Sequence, residues 1–480
     1  DNDHAIIQIG GSVYNVNIKT GKRGKRLSGS NTGGNWYADY EGNVRLGFSG
    51  FGTAIKVMMR GKNGGGWKTI DRYDRVTGNA RYDVIGFSPE ENIIYAGSEV
   101  GGAPYAYYKY DLIKREFVEK LFGKDNIPTS GMLIDPYTGQ IDGYLYTKHE
   151  EKAHYINKRL RSIQKFLDKQ FPDTNNFITS YNRNKTRFIV FIGGPKYAGE
   201  LMFFDIKTKK MMVISELYEG IDFNDLSDMV PVTYKARDGL EIPSYLSLPP
   251  DREAKNLPTV ILPHGGPESR DERGFDQWVQ FLTSRGYAVL QMNYRGSTGY
   301  GTKFHDMGIQ QWGRAMQDDI TDGTKWMIEQ GYSNPDRICI MGASYGGYSA
   351  LNGIAREPDL YKCAISFAGI GDMRLFQRDA SRFTSETVTM KYIKNQNHSL
   401  DDISPASNIK KIKAPVLLMH GTLDSRVPYK QGPIFYKKMK SAGKDIKFVK
   451  LEDETHFLEL EKNKLIFLKE VDKFLKKHLK

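Results

Sequence analysis

Two grammars of apolar and polar positions divide this chain. Up to about residue 230, aromatic and β-branched residues come in runs of four to eight, as at 81–86, 92–95, 143–147, 188–192 and 200–204. Glycine, asparagine, aspartate or proline cuts each run short, which predicts short strands joined by turns. Similar units start at Val84, Met132 and Phe177, and they close on turns at Asp111, Asn157 and Asp205. A spacing of roughly 45 residues suits four-stranded propeller blades. An earlier unit runs from Trp36 to Tyr73. The segment from Val13 to Lys22 resembles the end of a unit, so the chain is expected to begin inside a blade. Roughly four units then fit before residue 220. That predicts a propeller-like all-β domain incomplete at its N-terminus, or completed by another chain, with a β-sandwich as the alternative. Residues 159–167 have helical spacing and predict a helix inserted between strands.

Beyond Leu226 the pattern changes. Residues 232–236 and 241–248 flank Arg237-Asp238-Gly239, a hairpin with an Asp-Gly turn. Nearly continuous apolar runs follow at 259–262, 288–292, 337–341, 364–367, 416–419 and 447–450. They alternate with helical stretches at 275–285, 316–330, from 344 onward, and 465–479. Such strands belong to a mostly parallel sheet covered on both faces. The expected division is a propeller-like domain over 1–226 and an α/β domain over 227–480.

Composition narrows the classes. A chain of 480 residues with 39% hydrophobic content, 24 Phe and 29 Tyr fills two sizeable cores and is not a disordered sequence. No run of 18 apolar residues predicts a membrane span. The net charge of +12 raises nucleic acid as a partner, but the lysines gather on C-terminal helix faces, at Lys464, Lys469, Lys473, Lys476, Lys477 and Lys480, without a recognition motif. Neither nucleic acid nor membrane is expected as a partner. Cys339 and Cys363 sit in apolar runs and read as two small buried hydrophobes, with a disulfide as the lesser alternative. The chain opens Asp1-Asn2-Asp3-His4, and this start reports no compartment.

The candidate chemistry lies in the second half. Gly342-Ala343-Ser344-Tyr345-Gly346 directly follows the apolar run 338–341. Small flanking residues there allow a sharp strand-to-helix turn that exposes the Ser344 hydroxyl. A hydroxyl needs a base, an orienting carboxylate and oxyanion donors. Asp424 follows the strand at 416–419, and His456 follows the strand at 447–450. His264-Gly265-Gly266-Pro267 follows the strand at 259–262. The backbone N–H groups of this glycine loop and of Tyr345 are candidate oxyanion donors. The order Ser, Asp, His is that of an α/β-hydrolase. Alone, Asp424 reads as a turn residue and His456 or His420 as an ordinary hydrogen-bonded histidine. Together they read as a hydrolase. No metal-ligand spacing and no phosphate loop occurs, so no cofactor is expected.

On these motifs the chain resembles the prolyl oligopeptidase family of serine peptidases, nearest its acylaminoacyl-peptidase and bacterial dipeptidyl-aminopeptidase-like branch. The resemblance rests on residues 293–301 (NYRGSTGYG), Gln311-Trp312-Gly313, residues 342–348, and His420-Gly421 with Asp424, Val427 and Pro428. It covers roughly 228–480. It implies a peptidase for short peptides with Ser344, Asp424 and His456 as triad, and Gly266 and Tyr345 as oxyanion donors. Two departures stand out. Thr455 and Phe457 flank His456 where the family often has glycines, and the front of the propeller is missing. The family's paired glutamates for a free amino terminus have no secure match. Glu90-Glu91 and Glu150-Glu151 read as turn surface. Residues 371–376 and 378–390 read as pocket wall or as a lid helix. Exposed edges of a partial propeller predict a homo-oligomer. The rival readings are a carboxylic-ester hydrolase of the same fold, and an interaction module with an inert hydrolase domain.

Overall fold

The computed structural model describes residues 3–9, 11–28, 34–51, 54–74, 82–100, 103, 105–123, 129–380, 386–394 and 397–479. The chain forms two compact units, Asp1–Thr147 with Ala153–Arg161, and Lys148–Lys152 with Ser162–Lys480.

Five antiparallel sheets follow one another along the first 216 residues. They are β1–β3 (His4–Ile9, Ser12–Asn17, Arg23–Arg26), β4–β7 (Trp36–Ala38, Val44–Phe51, Ala54–Gly61, Gly64–Asp74), β8–β11 (Asp83–Phe87, Ile93–Ser98, Ala106–Asp111, Glu116–Phe122), β12–β14 (Thr129–Ile134, Ile141–Thr147, Glu151–Tyr155) and β15–β18 (Asn175–Tyr181, Arg187–Gly194, Tyr197–Asp205, Lys210–Glu216). Each sheet is a meander in sequence order, as in a propeller blade. Among the described residues there are five sheets against roughly four expected units, because β1–β3 make a sheet of their own where the sequence showed the end of a unit. The predicted turns are Asx turns: Asp111 Oδ1 accepts from the N–H groups of Ile113 (2.8 Å) and Lys114 (2.9 Å), and Asp205 Oδ1 from that of Lys207 (2.9 Å). In the first unit Leu46 and Val57 pack with Ile94 and Tyr110 in one apolar cluster. The inserted helix is α1 (Lys158–Gln170), and it buries Leu160, Ile163 and Leu167 at helical spacing.

The second unit holds an eight-stranded sheet of β19 (Val230–Lys235), β20 (Glu241–Ser247), β21 (Leu257–Ile261), β22 (Ala288–Met292), β23 (Ser333–Ala343), β24 (Cys363–Phe367), β25 (Val416–Gly421) and β26 (Ile446–Leu451). Its order is β19-β20-β22-β21-β23-β24-β25-β26, antiparallel at β19–β20–β22 and parallel thereafter. Helices α2 (Gln277–Thr283), α3 (Thr302–Asp306), α4 (Ala315–Glu329), α5 (Tyr345–Arg356), α6 (Met373–Ala380), α7 (Glu386–Ile393), α8 (Gln431–Ser441) and α9 (Glu461–His478) fall between or after the strands. Alternate residues of β23 feed two separate cores: Ile338 and Ile340 join one cluster, Cys339 and Met341 the other. Burial on both faces is what made the strands read as unbroken apolar runs. None of the described helices is long and apolar enough to cross a membrane.

One sequence expectation is overturned. Cys339 and Cys363 are not free thiols but a disulfide. The parallel register of β23 and β24 sets them directly opposite each other, with Cα atoms 4.7 Å apart. A separation of 24 residues carries no sign of that pairing.

Behind the sheet's antiparallel edge, Arg295 ties three segments together. Its Nε and Nη2 donate to Asp319 at 2.8 and 2.7 Å, and its Nη1 donates to Asp238 at 2.8 Å. Asp319 is fully buried in α4. Removing one member of a buried pair strands the other charge, at a cost of about 3–5 kcal/mol. Asp319→Ala should therefore lower the unfolding free energy by about 3 kcal/mol in urea titration, whereas Asp336→Ala, at an exposed surface pair, should change it by less than about 1 kcal/mol.

Candidate active site

Ser344 sits between β23 and α5 with φ +56° and ψ −118°, a conformation rarely adopted by a residue with a side chain. Its N–H donates to the Phe367 carbonyl at 3.0 Å. The neighbouring glycines are required by close backbone approach. A Cβ on Gly342 would lie 2.5 Å from the Gly346 carbonyl carbon. One on Gly346 would collide with the Pro263 carbonyl oxygen, and one on Gly347 would lie 2.9 Å from Gly369 Cα. The turn is thus locked to the loop after β21 and to the loop after β24. This is the strained strand-to-helix elbow that the glycine spacing predicted.

Asp424 lies in the loop after β25, and its side chain is fully enclosed. Oδ1 accepts from the N–H groups of Arg426 and Val427, both at 2.9 Å. Oδ2 lies 2.8 Å from His456 Nδ1 and 3.2 Å from His420 Nε2. Burial alone pushes the Asp424 carboxyl upward, but the hydrogen bonds from His420 and His456 outweigh it and hold the pKa at about 2. The carboxylate is charged, so His456 Nδ1 carries the proton between them. In the neutral ring Nε2 is then the free base. His420 Nε2 also lies 2.8 Å from the Val427 carbonyl, which only accepts, so that nitrogen carries a proton too. His420 had read as an ordinary histidine. The structure makes it the second imidazole on the acid.

The loop bearing His456 is organised by the buried Glu454. Its carboxylate accepts from the N–H groups of Thr455 (3.0 Å), Glu459 (2.9 Å) and Leu460 (3.2 Å), and from Asn463 Nδ2 (3.0 Å). Thr455 and Phe457 are accommodated around this anchor without flanking glycines.

The loop after β21 is pinned at His264. The imidazole stacks on Tyr294 with centroids 4.4 Å apart, and its nitrogens lie 2.7 Å from the Gly265 carbonyl and 3.0 Å from Ser297 Oγ. Desolvation pushes its pKa down to about 4, so the ring is neutral near pH 7. Gly266 follows at φ +118°. Gly265, Gly266, Ser344, Tyr345 and His456 line one cavity of about 1360 Å³. Ile370, Phe376 and Ala380 line it as well, so the segment after β24 is part of its wall. Residues 381–385, within the stretch that had read as wall or lid, lie outside the described residues. Among the described residues, no group of three or more His, Cys, Asp or Glu is placed to hold a metal ion.

The adjacent glutamates are engaged elsewhere. Glu90 pairs with Lys109 at 2.6 Å. Glu150 is no free turn residue: it binds Arg273 at 2.8 Å and Lys152 at 2.9 Å. Nothing in the neighbourhood of Glu150 signals its Arg273 partner, 123 residues away.

A serine elbow, an acid loop and a histidine loop, each following a strand of one parallel run, define an α/β-hydrolase-type domain that follows a propeller-like one in sequence. Residues 273–480 match the Prolyl oligopeptidase family. The chain is 28% identical over 432 residues to dipeptidyl aminopeptidase BIII of Pseudoxanthomonas mexicana, covering 85% of this chain and 61% of that protein. It is 29% identical over 222 residues to the acylamino-acid-releasing enzyme of Homo sapiens, covering 44% of this chain and 30% of that enzyme. A puromycin-hydrolysing peptidase of Mycobacterium tuberculosis shares the fold, with a TM-score of 0.78 and 19% identity across 99% of this chain and 78% of that one. The family match places residues 273–480, somewhat under half of the chain, with the prolyl oligopeptidase family. The chain spans 61% of the first of these relatives and 53% of dipeptidyl peptidase family member 6 of Caenorhabditis elegans.

The depressed Asp424 pKa has a defined sign in stability. The folded value, about 2, lies below the ordinary 3.8. Its contribution is therefore present above about pH 4 and is lost as pH falls toward 2. The Tm difference between the native sequence and Asp424→Asn should be largest above pH 4 and shrink toward pH 2. A difference that widens on acidification would contradict this account.

Proposed function

We propose that this chain is a serine peptidase that hydrolyses short peptides through an acyl-enzyme. Ser344 is the nucleophile, His456 the general base and then acid, and Asp424 the group that orients and stabilises the imidazolium. The N–H groups of Gly266 and Tyr345 are the oxyanion donors. The observation that carries the reading is the 2.8 Å bond from His456 Nδ1 to a charged, enclosed Asp424, with Ser344 on an elbow that lines the same cavity. Attack by Oγ on the scissile carbonyl passes its proton to His456 Nε2. Collapse of the tetrahedral intermediate returns that proton to the leaving amine, and water repeats the cycle on the ester. Preformed donors act on the oxyanion, where charge develops. The propeller-like domain over 1–226 and the peptidase domain over 227–480 belong to the same proposal. So does a homo-oligomer, and sedimentation showing a monomer at micromolar concentration would count against that part.

Digestion of a mixed peptide library, read by mass spectrometry, tests the reaction and reports fragment lengths and cleavage preference. Fluorophosphonate should label Ser344 and abolish cleavage. Asp424→Asn should lower kcat by about 10³–10⁴-fold with the fold intact. An unlabelled Ser344 in folded protein, or turnover of esters alone, would defeat the peptidase reading.

A further inference from the structure

The cavity around Ser344 has two apolar flanks that belong to opposite faces of the sheet. On one flank stand Trp312, Ile370 and Phe376, packed with the cluster that contains Ile338 and Ile340. On the other stand Trp278 of α2, Leu458 of the histidine loop, and Phe467 and Leu468 of α9, packed with the cluster that contains Cys339 and Met341. Ser344 follows β23, whose alternate residues feed both clusters. A cavity of about 1360 Å³ exceeds the roughly 300–1,000 Å³ that one small ligand needs. It has room for residues on both sides of a scissile bond.

The chemistry assigns the flanks. The leaving nitrogen receives its proton from His456, so the residue that departs with that nitrogen lies on the His456 side. That side is walled by Leu458, two residues beyond His456, and by α9. The floor is aromatic: Trp278 stacks on Phe467 with centroids 4.6 Å apart, and Phe367 meets Phe467 edge-on at 5.7 Å. Gln277, Glu459 and Lys464 also line the cavity and add polar groups to an otherwise apolar flank. Resting on the peptidase reading above, we propose that the flank between α2 and α9 is a binding site for the first residue of the leaving peptide, and that it selects a bulky apolar or aromatic side chain there. The Trp312–Phe376 flank then takes the acyl side.

The test isolates the leaving side through the acyl-enzyme. A p-nitrophenyl ester acylates Ser344, and an added amino-acid amide then competes with water. Its amine attacks the ester carbonyl, the acyl–Oγ bond breaks as the acyl–N bond forms, and the amine proton passes through His456 to Ser344. Phenylalanine amide or leucine amide should capture the acyl group at least about tenfold better than glycine amide. Trp278→Ala and, separately, Leu468→Asn should bring that ratio to within about twofold of one. Phe376→Ala should keep the ratio while changing the acyl-side preference. Two variants on different helices, each checked by thermal unfolding, keep the test decisive where one packs poorly. A labelled, peptide-cleaving enzyme with no preference among the amides would overturn this inference and leave the peptidase reading standing. So would a preference that survives both substitutions. An unlabelled Ser344 would instead remove the peptidase reading and this inference with it.

Discussion

Gly346 has no room for a side chain, because the Pro263 carbonyl oxygen occupies the place of its Cβ. That backbone-on-backbone contact fixes the distance between the serine elbow and the loop carrying Gly265 and Gly266. Gly347 makes the matching approach to Gly369, and the Ser344 N–H reaches the Phe367 carbonyl. The Ser344 elbow, the glycine loop and the pocket wall are therefore set by three main-chain contacts, not by flexible side chains. Packing of this kind is stiff, since even one added methyl must displace backbone. The strained φ of Ser344 persists because these contacts over-determine it.

The loops of Asp424 and His456 depend on a second device, buried carboxylates supplied with fixed donors. Desolvation would neutralise an isolated carboxyl. Asp424 stays charged because two backbone N–H groups and two imidazoles converge on it. Glu454 repeats the solution for the loop that holds His456, with three backbone donors and one side-chain amide. The first carboxylate fixes the tautomer of His456. The second fixes the path of its loop. Arg295 links Asp319 and Asp238 farther back, where burial still raises the Asp319 carboxyl to about 6.

Much of this was legible because its signals are local or periodic. The elbow glycines, the Asx turns and the unbroken apolar strands each follow from a few adjacent residues. The strand and helix positions predicted from 230 onward agree with the structure to within a few residues, while α3 and α8 had no predicted counterpart. What stayed hidden depends on register and on distant pairing. Cys339 and Cys363 meet only because β23 and β24 align them. Arg273 reaches Glu150 across 123 residues. His420 looked ordinary because nothing in its sequence neighbourhood says that its Nε2 turns toward Asp424. The three-stranded sheet β1–β3 was half-seen for a different reason: β3 (RGKR) has no apolar residue to mark it, and the apolar residues of β1 (HAIIQI) are mostly exposed.

The elbow also explains why recognition and stability are joined in this unit. Strand β23 is buried on both faces, and each face carries its own core to the strand's end, where Ser344 stands. The cavity walls are the last layers of those cores. Phe467 is completely buried and yet lines the cavity, and Trp278 packs against it while facing the same space. A side chain that reshapes either flank must also repack a core, at a cost of 1–3 kcal/mol where it overfills. Selectivity in such a site is limited less by which contacts can be made than by which substitutions the two cores tolerate.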